Sequence, residues 1–322
     1  MTGALFYSEQ AMIAIEAREL SKTFGRRGDG VVHAVRDVTF VVEEGERLAY
    51  IGPNGAGKST SIKILTGILH PSSGEAHVLG FVPWKQRGEL ARHIGALFGQ
   101  RSQLWAELPA RIGLKLLGAI YGLDAKGAAA RIDELGELLG ATDLFDVPYR
   151  NLSLGQRMRC ELTASLLHSP RVLFLDEPTI GLDLVAKQQF RSLIIRLNEE
   201  QKTTIFLTSH DVADIEQVAR RVVVINFGTI IFDDKVSSLR RSALTTKLVE
   251  VRFESDAPSI ELPGVSVVKR SAEGYKLAVD TRQRTIREVL DELLDHHPVA
   301  DISVTDPPLE DVIASIYSEK SR

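Results

Sequence analysis

Residues 52–60 read Gly52-Pro53-Asn54-Gly55-Ala56-Gly57-Lys58-Ser59-Thr60 and match the phosphate-loop pattern G-x-x-x-x-G-K-[ST]. The glycines let consecutive backbone N–H groups converge on phosphate oxygens, and the following helix directs its positive N-terminal end at them. Lys58 supplies a cation for the β- and γ-phosphates of a nucleotide, and the Ser59 hydroxyl supplies a ligand for Mg²⁺. We therefore predict that these nine residues bind ATP and that Ser59 binds its Mg²⁺ ion.

Short, largely apolar runs alternate with helical stretches on both sides of this loop. Residues 47–51, 172–175 and 204–207 are such runs, and they are typical of buried parallel strands. The loop lies between the first of these runs and a helical stretch at residues 59–69. This order predicts an α/β fold, the core of a phosphate-loop nucleotide hydrolase (P-loop NTPase), with a largely parallel sheet.

Two carboxylates follow directly after the apolar run at residues 172–175. Asp176 and Glu177 would stand at the carboxyl end of that strand, where ligands of open α/β sheets bind. We expect Asp176 to hold Mg²⁺ through water, and Glu177 to polarise the attacking water as the general base. The sequence therefore predicts both halves of a phosphate-hydrolysing site.

Further motifs follow one another along residues 13–235 in the order in which ABC ATPases carry them. Residues 151–156, Asn-Leu-Ser-Leu-Gly-Gln, resemble the ABC signature sequence, although Leu154 stands where the family more often has glycine. The other matching positions are Gln100 (the Q-loop glutamine), Gly181-Leu182-Asp183 (the D-loop), His210 (the switch histidine) and Phe24 (the aromatic that stacks on adenine). The chain therefore resembles an ABC transporter ATP-binding subunit, which implies an ABC ATPase core with a helical subdomain.

The resemblance implies that ATP is sandwiched between two chains. Ser153, Gly155 and Gln156 would offer a hydroxyl and backbone N–H groups at a helix start, as a second anion site for nucleotide held by another chain. Asp183 would tie the two chains together near that nucleotide. A working site is expected in spite of Leu154, because Ser153, Gly155 and Gln156 remain.

Three more residues receive their roles through the resemblance. Gln100 would contact Mg²⁺ and the attacking water, His210 would contact the γ-phosphate and help to place that water, and Phe24 would stack on adenine. Each position also has a purely structural explanation. Ser153 and Asp183 could be helix N-caps, Gln100 a solvated loop residue, His210 a structural histidine and Phe24 part of the core.

We predict three segments along the chain. Residues 1–12 form an N-terminal extension, residues 13–240 the ABC ATP-binding domain with a helical subdomain at about residues 101–165, and residues 247–322 a C-terminal accessory or regulatory domain. The boundary falls near residues 236–246, where Ser, Arg and Lys replace the apolar pattern. Beyond it, strands are predicted at residues 247–253, 265–269, 275–280 and 302–305, and helices at residues 285–296 and 309–317. The C-terminal domain is therefore expected to be a small α+β fold.

Composition excludes several classes of protein. The net charge of −4 gives no bulk attraction to nucleic acid, and a single cysteine, Cys160, excludes an internal disulfide framework. No apolar run approaches the roughly 18 residues that span a bilayer. We therefore expect a cytoplasmic protein, and the resemblance implies a peripheral place at the cytoplasmic face of the membrane. Its partners would be an integral-membrane permease and a second ATPase subunit, either the same chain or a paralogue.

Three functions fit an ABC ATPase of this kind. Residues 95–109 and the C-terminal domain, with residues 306–312, resemble ATPases of bacterial drug, natural-product and polysaccharide exporters. Importer ATPases more often carry an all-β C-terminal extension, which the predicted helix at residues 285–296 disfavours. Soluble ABC ATPases of translation or DNA repair usually carry two cassettes or a long coiled-coil insert. We favour the exporter subunit, and the simpler assembly is a homodimer with two active sites.

Overall fold

The computed structural model describes residues 12–25, 30–99, 102–242, 246–255, 257–258, 260 and 262–319. These residues divide into two compact units, one ending at Asp233 and the other beginning at Asp234. In chain order, the elements of the first unit are β1 (Ile13–Phe24), β2 (Val32–Glu43), β3 (Arg47–Ile51), α1 (Lys58–Leu65), β4 (Ser73–Val78), α2 (Arg87–Leu90), β5 (Ile94–Phe98), α3 (Ala110–Ile120), α4 (Ala125–Leu139), α5 (Leu154–Leu166), β6 (Val172–Asp176), α6 (Leu184–Gln201), β7 (Thr204–Thr208), α7 (Val212–Val218), β8 (Arg221–Asn226) and β9 (Thr229–Lys235).

A six-stranded sheet in the order β5-β6-β7-β3-β8-β9 forms the centre of the first unit. β3 pairs in parallel with β7 and β8, and β6 pairs in parallel with β5 and β7. Every residue of β3 and β7 is buried, as expected for strands that are covered on both faces. The predicted parallel α/β core is therefore confirmed. The carboxyl ends of β3, β5, β6 and β7 meet at one edge of the sheet.

A second, antiparallel sheet has the order β2-β1-β4. Phe40 of β2 packs against two rings of the central sheet, Tyr50 at 5.7 Å and Phe206 at 6.1 Å between centroids. Phe174 extends this cluster, 5.5 Å from Phe206. Each buried ring contributes about 1.5–3 kcal/mol relative to an exposed one, so this aromatic cluster holds the two sheets together.

The helices α3, α4 and α5 share a hydrophobic core that includes Leu114 and Ile132. Asp124 caps the start of α4, since its carboxylate accepts the Gly127 N–H at 2.6 Å, and Gly140, with φ 57°, caps the end. Both ends carry the residue types that helix termini require. Both α3 and α4 lie within the stretch, about residues 101–165, for which the sequence predicts a helical subdomain.

The helix α1 is shorter than predicted, because it ends at Leu65 rather than at residue 69. The Thr66 hydroxyl turns back and donates to the Ile62 carbonyl at 2.8 Å. Gly67 has φ 72°, and a Cβ there would lie 2.3 Å from the Pro83 carbonyl oxygen. The helix therefore stops at a turn that only glycine fits.

The second unit is a small α+β fold, as predicted. Its elements are α8 (Val236–Ser242), β10 (Thr246–Phe253), β11 (Val265–Arg270), β12 (Gly274–Asp280), α9 (Ile286–His296), β13 (Val299–Thr305) and α10 (Leu309–Glu319). The strands form an antiparallel sheet in the order β11-β12-β10-β13. Reciprocal hydrogen bonds between Thr285 and Glu288 start α9, which buries Val289 and Leu293 in a core shared with Leu277 of β12.

One helix of this unit was not predicted. α8 occupies most of the stretch in which Ser, Arg and Lys were interpreted as a boundary. Val236 and Leu239 are both buried and lie about one helical turn apart, so two apolar anchors suffice for this short helix. Among the described residues, none of the helices is both long and apolar enough to cross a bilayer.

Candidate active site

The phosphate loop runs from the end of β3 to the start of α1. Gly55 and Gly57 have φ values of 81° and 113°, in the left-handed region that favours glycine. A Cβ at Gly52 would lie 2.2 Å from the Ile225 carbonyl oxygen, and one at Gly57 would lie 2.3 Å from the Ala34 carbonyl oxygen. The glycines at these positions are therefore required by the path of the backbone itself.

Lys58 opens α1 and is almost fully buried, with its side chain folded back over the loop. Its Nζ donates to the carbonyl oxygens of Gly52 at 2.7 Å and Pro53 at 3.2 Å. The same nitrogen lies 3.8 Å from Oε1 of Glu177, which follows β6. The ammonium group therefore stands between the phosphate loop and one of the two predicted carboxylates.

A cleft of about 490 Å³ lies over the loop. Its lining residues are Ala34, Gly52, Pro53, Asn54, Gly55, Gly57, Lys58, Ser59, Thr60, Glu177, Ile180 and His210. Ala56 belongs to the hydrophobic core beneath the loop and does not line the cleft. The cleft thus brings together the phosphate loop, Glu177 after β6 and His210 after β7.

Asp176 lies beside Thr208, because β6 and β7 pair in register at these two residues. The Thr208 hydroxyl donates to Oδ1 of Asp176 at 2.7 Å and accepts the Glu177 N–H at 3.1 Å. Ser59 Oγ lies 3.4 Å from the same Asp176 oxygen. Sequence reasoning missed Thr208, because this residue gains its role only through the register between β6 and β7.

Glu177 adopts an unusual backbone conformation for a residue with a side chain, with φ of 54°. Its carboxylate is largely buried, and Oε2 lies 2.8 Å from His210 Nδ1. The His210 backbone N–H also donates to Oε2, at 3.3 Å. The carboxylate is therefore held between His210 on one side and Lys58 on the other.

A buried hydrogen-bond network supports the loop that carries His210. Asp214 of α7 accepts hydrogen bonds from the hydroxyls of Thr179 at 2.5 Å and Ser209 at 2.7 Å. The Nε of Arg191 on α6 donates to the other oxygen of Asp214 at 2.6 Å. Because Thr179 follows Glu177 by two residues and Ser209 precedes His210, this carboxylate fixes both loops relative to each other.

Asp211, directly after His210, has two cationic neighbours on α6. Lys187 Nζ lies 2.6 Å from its Oδ2, and an Arg191 nitrogen lies 3.1 Å from its Oδ1. Burial works against ionisation of Asp211, but the hydrogen bond from Lys187 and the charge of Arg191 outweigh it and lower the pKa of this carboxyl. Both neighbours of His210 in the chain are therefore anchored.

The signature and D-loop residues stand at the starts of two helices and do not line the cleft among the described residues. Ser153 caps α5, since its Oγ accepts the Gln156 N–H at 3.3 Å and its own N–H donates to Gln156 Oε1 at 2.8 Å. Asp183 caps α6 by accepting the Ala186 N–H at 2.8 Å. Leu154 lies beside the D-loop, because a Cβ at Gly181 would be 2.8 Å from its Cδ2.

Two predicted site residues, Phe24 and Gln100, remain. Phe24 ends β1 with 42% of its surface exposed, and Lys22 Nζ lies 5.2 Å from its ring centroid. The alternative that Phe24 is a core residue is therefore wrong. Gln100 lies outside the described residues.

The donor set near the loop fits a magnesium ion shared with a nucleotide. Ser59 and Asp176 offer a hydroxyl and a carboxylate oxygen 3.4 Å apart, and Mg²⁺ prefers oxygen ligands. Within the described part of the chain, no cluster of three or more His, Cys, Asp or Glu could hold a metal on its own. This pattern suits Mg²⁺, which usually keeps several waters and substrate phosphates in its coordination shell.

A glycine-rich loop leads from a buried strand into a helix, and carboxylates at the same edge of the sheet face it. This arrangement places the chain among the P-loop nucleotide hydrolases. Comparison with known proteins narrows this class. The family model described as "ABC transporter" matches residues 35–180. The ABC transporter ATP-binding protein NatA of Bacillus subtilis is 36% identical over 212 residues, covering 66% of this chain and 86% of NatA.

Two further similarities extend the comparison. The daunorubicin resistance ATP-binding protein DrrA2 of Streptomyces coeruleorubidus is 30% identical over 320 residues, covering 96% of both chains. The solved structure of cbiO1 from Clostridium perfringens, described as part of the ABC transporter complex cbiONQ, is 27% identical with a TM-score of 0.63. That match covers 72% of this chain and 94% of cbiO1. The chain belongs to the family of ABC transporter ATP-binding subunits, and its activity is ATP hydrolysis.

Proposed function

We propose that this chain works as one half of a dimer and couples ATP hydrolysis to export through a separate integral-membrane permease. The proposal rests on the fact that the signature residues do not line the cleft that the other site residues form. The phosphate loop, Glu177 and His210 line one cleft, whereas Ser153 and Gly155 do not line it. A signature turn that stays outside its own cleft is available to the nucleotide of another chain.

Four residues of the cleft, and Asp176 beside Ser59, have proposed parts in hydrolysis. Lys58 leaves the two loop carbonyls and contacts the β- and γ-phosphates, while Ser59 and Asp176 hold Mg²⁺. When bound by these residues, Mg²⁺ would supply positive charge against the phosphate oxygens. Glu177 polarises the attacking water, and His210, 2.8 Å from its Oε2, keeps that carboxylate in place and contacts the γ-phosphate.

Two further contacts with the nucleotide and its Mg²⁺ ion are proposed. Phe24, exposed at the end of β1, is free to stack on the adenine ring, which is worth about 1–3 kcal/mol on aromatic platforms. Gln100, although outside the described residues, follows Gly99, whose N–H donates to the Asp176 carbonyl at 3.0 Å. It would contact Mg²⁺ and the attacking water from there.

The second half of each site would come from Ser153, Gly155 and Gln156 of the other chain, with Asp183 joining the two chains. Charge-assisted hydrogen bonds contribute roughly 1.5–3 kcal/mol each, so two such bonds at each of two sites favour the closed dimer by roughly 6–12 kcal/mol. Reversing a two-state equilibrium from 1:99 to 99:1 needs about 5.5 kcal/mol. Loss of the γ-phosphate therefore suffices to open the dimer. Because one chain carries both halves, a homodimer is the simpler assembly and a paralogue the alternative.

The helical subdomain offers a surface for the permease. Ile112, Leu116 and Ile120 recur every four residues along α3 and are exposed, as are Trp105 and Leu108 just before the helix. A row of exposed apolar side chains on one side of a helix supports a partner contact there. Through that contact the chain would sit peripherally at the cytoplasmic face of the membrane. No nucleic acid partner is proposed.

We assign the nucleotide chemistry to residues 13–240, including the helical subdomain at about residues 101–165. Residues 1–12 are an extension, and residues 247–322 would have an accessory or regulatory part. Export is supported by DrrA2, a daunorubicin resistance protein that aligns with 96% of this chain, including the C-terminal unit. Inverted vesicles that hold the permease and this chain test the direction, since ATP added outside should drive accumulation inside for export. Import would give the opposite flux.

The variant Glu177→Gln tests the proposed site. Without the carboxylate, the attacking water loses its base, so kcat should fall by about 10²–10⁴-fold while ATP binding is kept. Because the variant would bind ATP but not hydrolyse it, it should accumulate as a dimer in size-exclusion chromatography with ATP. Glu200→Gln is the matched control, because Glu200 is an exposed residue of α6 that pairs only with Arg196 among the ion pairs described. Hydrolysis by Glu177→Gln at the parent rate would refute the assignment of the base.

A further inference from the structure

Glu161 is a buried carboxylate outside the candidate active site. It lies on α5, a little over two turns after the Ser153 cap, and only 5% of its surface is exposed. Its Oε1 accepts the hydroxyls of Ser102 at 2.5 Å and Tyr149 at 2.8 Å. Its Oε2 accepts the Gln103 N–H at 3.0 Å, and the Leu104 N–H lies 3.4 Å from Oε1. A buried charge is tolerated here because several donors surround it.

These hydrogen bonds connect three segments that matter for the proposed reaction. Ser102 and Gln103 belong to the segment that follows β5 and residue 100. Tyr149 precedes the signature sequence, and Glu161 itself stands on the helix that the signature turn begins. Gln103 is fastened further, because its Nε2 donates to the Ala96 carbonyl and to the Ser165 hydroxyl, both at 3.1 Å. One carboxylate therefore fixes both ends of the helical subdomain.

The donors around Glu161 keep their protons across the physiological range. Burial, and next the charge of Glu161, raise the pKa of the Tyr149 phenol far above its ordinary value. The Ser102 hydroxyl and the backbone N–H groups do not titrate. The three segments are therefore connected through donors that do not lose their protons in this range.

The signature turn has space in which to change orientation. A cavity of about 370 Å³ is bordered by Gly99, Ser102, Tyr149, Leu154, Glu161 and Gly181, among others. Leu154, the first residue of α5, stands at this cavity beside the D-loop. The tilt of α5 within this space would decide where Ser153 and Gly155 point.

We propose that Glu161 is a positioning residue that sets the orientation of the signature turn from the position of residues 102–104. Through Ser102, Gln103 and Tyr149 it aligns Ser153, Gly155 and Gln156 with the nucleotide held by the partner copy. This inference rests on the proposed function, because it acts on the site that two chains share. Glu161 does not touch the nucleotide itself.

The variant Glu161→Gln tests this role, since it keeps the size of the side chain but turns an amide toward the Gln103 N–H. In a Glu177→Gln background, the ATP concentration that drives half of the chain into dimer should rise at least about 10-fold. ATP affinity of the dilute monomer, set by the phosphate loop, should stay within about 2-fold. Glu134→Gln is the matched control, because Glu134 is an exposed helical-subdomain glutamate that pairs with Arg131. Its dimerisation should not change.

Two readouts separate positioning from a general loss of structure. Burial raises the pKa of the Cys160 thiol to about 12, so this cysteine should resist alkylation in both the parent and the variant if α5 keeps its packing. Tyr149→Phe removes a single donor without changing the ring, and should raise the ATP requirement for dimerisation in the same direction. If Glu161→Gln does not fold, Tyr149→Phe alone decides the question.

Mixed dimers locate the effect. One mixed dimer pairs the parent chain with a chain that carries both Glu161→Gln and Glu177→Gln. Its one intact Glu177, on the parent chain, faces the altered signature turn of the other chain. Its kcat should be at least about 10-fold below that of the pair of parent with Glu177→Gln. A second mixed dimer pairs a Glu161→Gln chain with a Glu177→Gln chain. Its one intact Glu177, on the Glu161→Gln chain, faces the unaltered signature turn of the other chain. The kcat of this dimer should therefore equal that of the reference pair, parent with Glu177→Gln. If the pair of parent with Glu177→Gln does not hydrolyse ATP, the ATP concentration needed for dimerisation decides the role of Glu161 alone.

The outcomes are distinct for the two proposals. Absence of any ATP-driven dimer of Glu177→Gln would refute the proposed two-chain site. A Glu177→Gln dimer that forms at the same ATP concentration with or without Glu161→Gln would overturn the role of Glu161. So would mixed dimers in which Glu161→Gln impairs the site of its own chain only.

Discussion

Glu177 combines a strained backbone with a tightly held side chain. Its φ of 54° costs a residue with a Cβ about 1–3 kcal/mol, and glycine would remove that cost but also the carboxylate. The structure around it supplies the compensation, through the Thr208 hydroxyl on its N–H and through His210 and Lys58 on its carboxylate. Strain at this residue thus coincides with the chemistry that we assign to it.

Thr208 is the residue whose substitution should report on the metal. Its hydroxyl orients the Asp176 carboxylate at 2.7 Å, and loss of such supporting groups typically lowers metal affinity or activity by about 10–100-fold. Thr208→Val should therefore raise the Mg²⁺ concentration for half-maximal ATPase activity by at least about 10-fold. Thr204→Val is the control, because its hydroxyl accepts the Gly45 N–H at the other end of β7. Equal Mg²⁺ requirements in the two variants would contradict the role of Thr208.

The residues that the sequence could predict are those whose chemistry follows from a local pattern. Gly52, Lys58 and Ser59 form one continuous motif, and Asp176 and Glu177 stand next to each other after a strand. Thr208 could not be singled out in the same way, because its importance depends on its pairing with Asp176 across two strands. In the chain, the end of the first strand at Asp176 and the start of the second at Thr204 are 28 residues apart. The roles of Ser153 and Asp183 stay predictions, since the contacts seen are helix caps.

At the scale of elements, buried parallel strands were predictable because both faces demand apolar residues. β3, β6 and β7 were found where the apolar runs lie. The length of β1, which runs from Ile13 to Phe24, was not predictable from an alternation of apolar residues. Bulges interrupt its pairing with β2, so the polar residues of its second half do not alternate regularly.

One connection between elements should depend on pH. His168, just after α5, places Nε2 2.8 Å from the Ile94 carbonyl oxygen, and its ring stacks on Tyr121 at 3.9 Å between centroids. Because the partner is a carbonyl, Nε2 carries the proton and donates. Burial lowers the pKa of His168 below its ordinary 6.5, although the Ile94 carbonyl works in the opposite direction. The neutral ring is therefore the form that the fold accepts.

Stability should consequently fall as pH falls below about 6.5. In that range the unfolded chain takes up a proton at His168 that the folded chain does not bind, at a cost of up to about 1.4 kcal/mol per pH unit. Above pH 6.5 neither the folded nor the unfolded chain takes up this proton, so this loss of stability is absent. His168→Gln keeps a donor for Ile94 and should reduce this slope in urea unfolding between pH 7.5 and 5.5. His33→Gln, at an exposed position of β2, should leave the slope unchanged. A parent-like slope in His168→Gln would exclude this histidine as the cause.

At the scale of the whole molecule, each unit has its own hydrophobic core. The second unit buries Phe253, Leu277 and Leu293 among residues that all belong to residues 249–293. All the described residues of the candidate active site lie before Asp233. The alternation of apolar residues in β10 and β12 and the amphipathic pattern of α9 were readable from the sequence, which is why this unit was predictable as α+β. α8 was not, because two buried residues in a polar stretch give too weak a pattern.

Separate cores predict two calorimetric transitions, of which nucleotide should shift only one. Mg²⁺ and ADP at about 100 times the dissociation constant add about 2.7 kcal/mol to the unit that binds them, which raises its Tm by about 5–11 °C for a unit of this size. Leu277→Ala, a fully buried residue of the second unit, should instead lower the other transition, because large-to-small core changes cost about 2–5 kcal/mol. ADP is chosen because it lacks the γ-phosphate that would drive dimer closure, so the shift reports binding to a single chain. A single transition that moves as a whole under both changes would mean that the two cores unfold together, and residues 247–322 would then stabilise the ATP-binding domain directly.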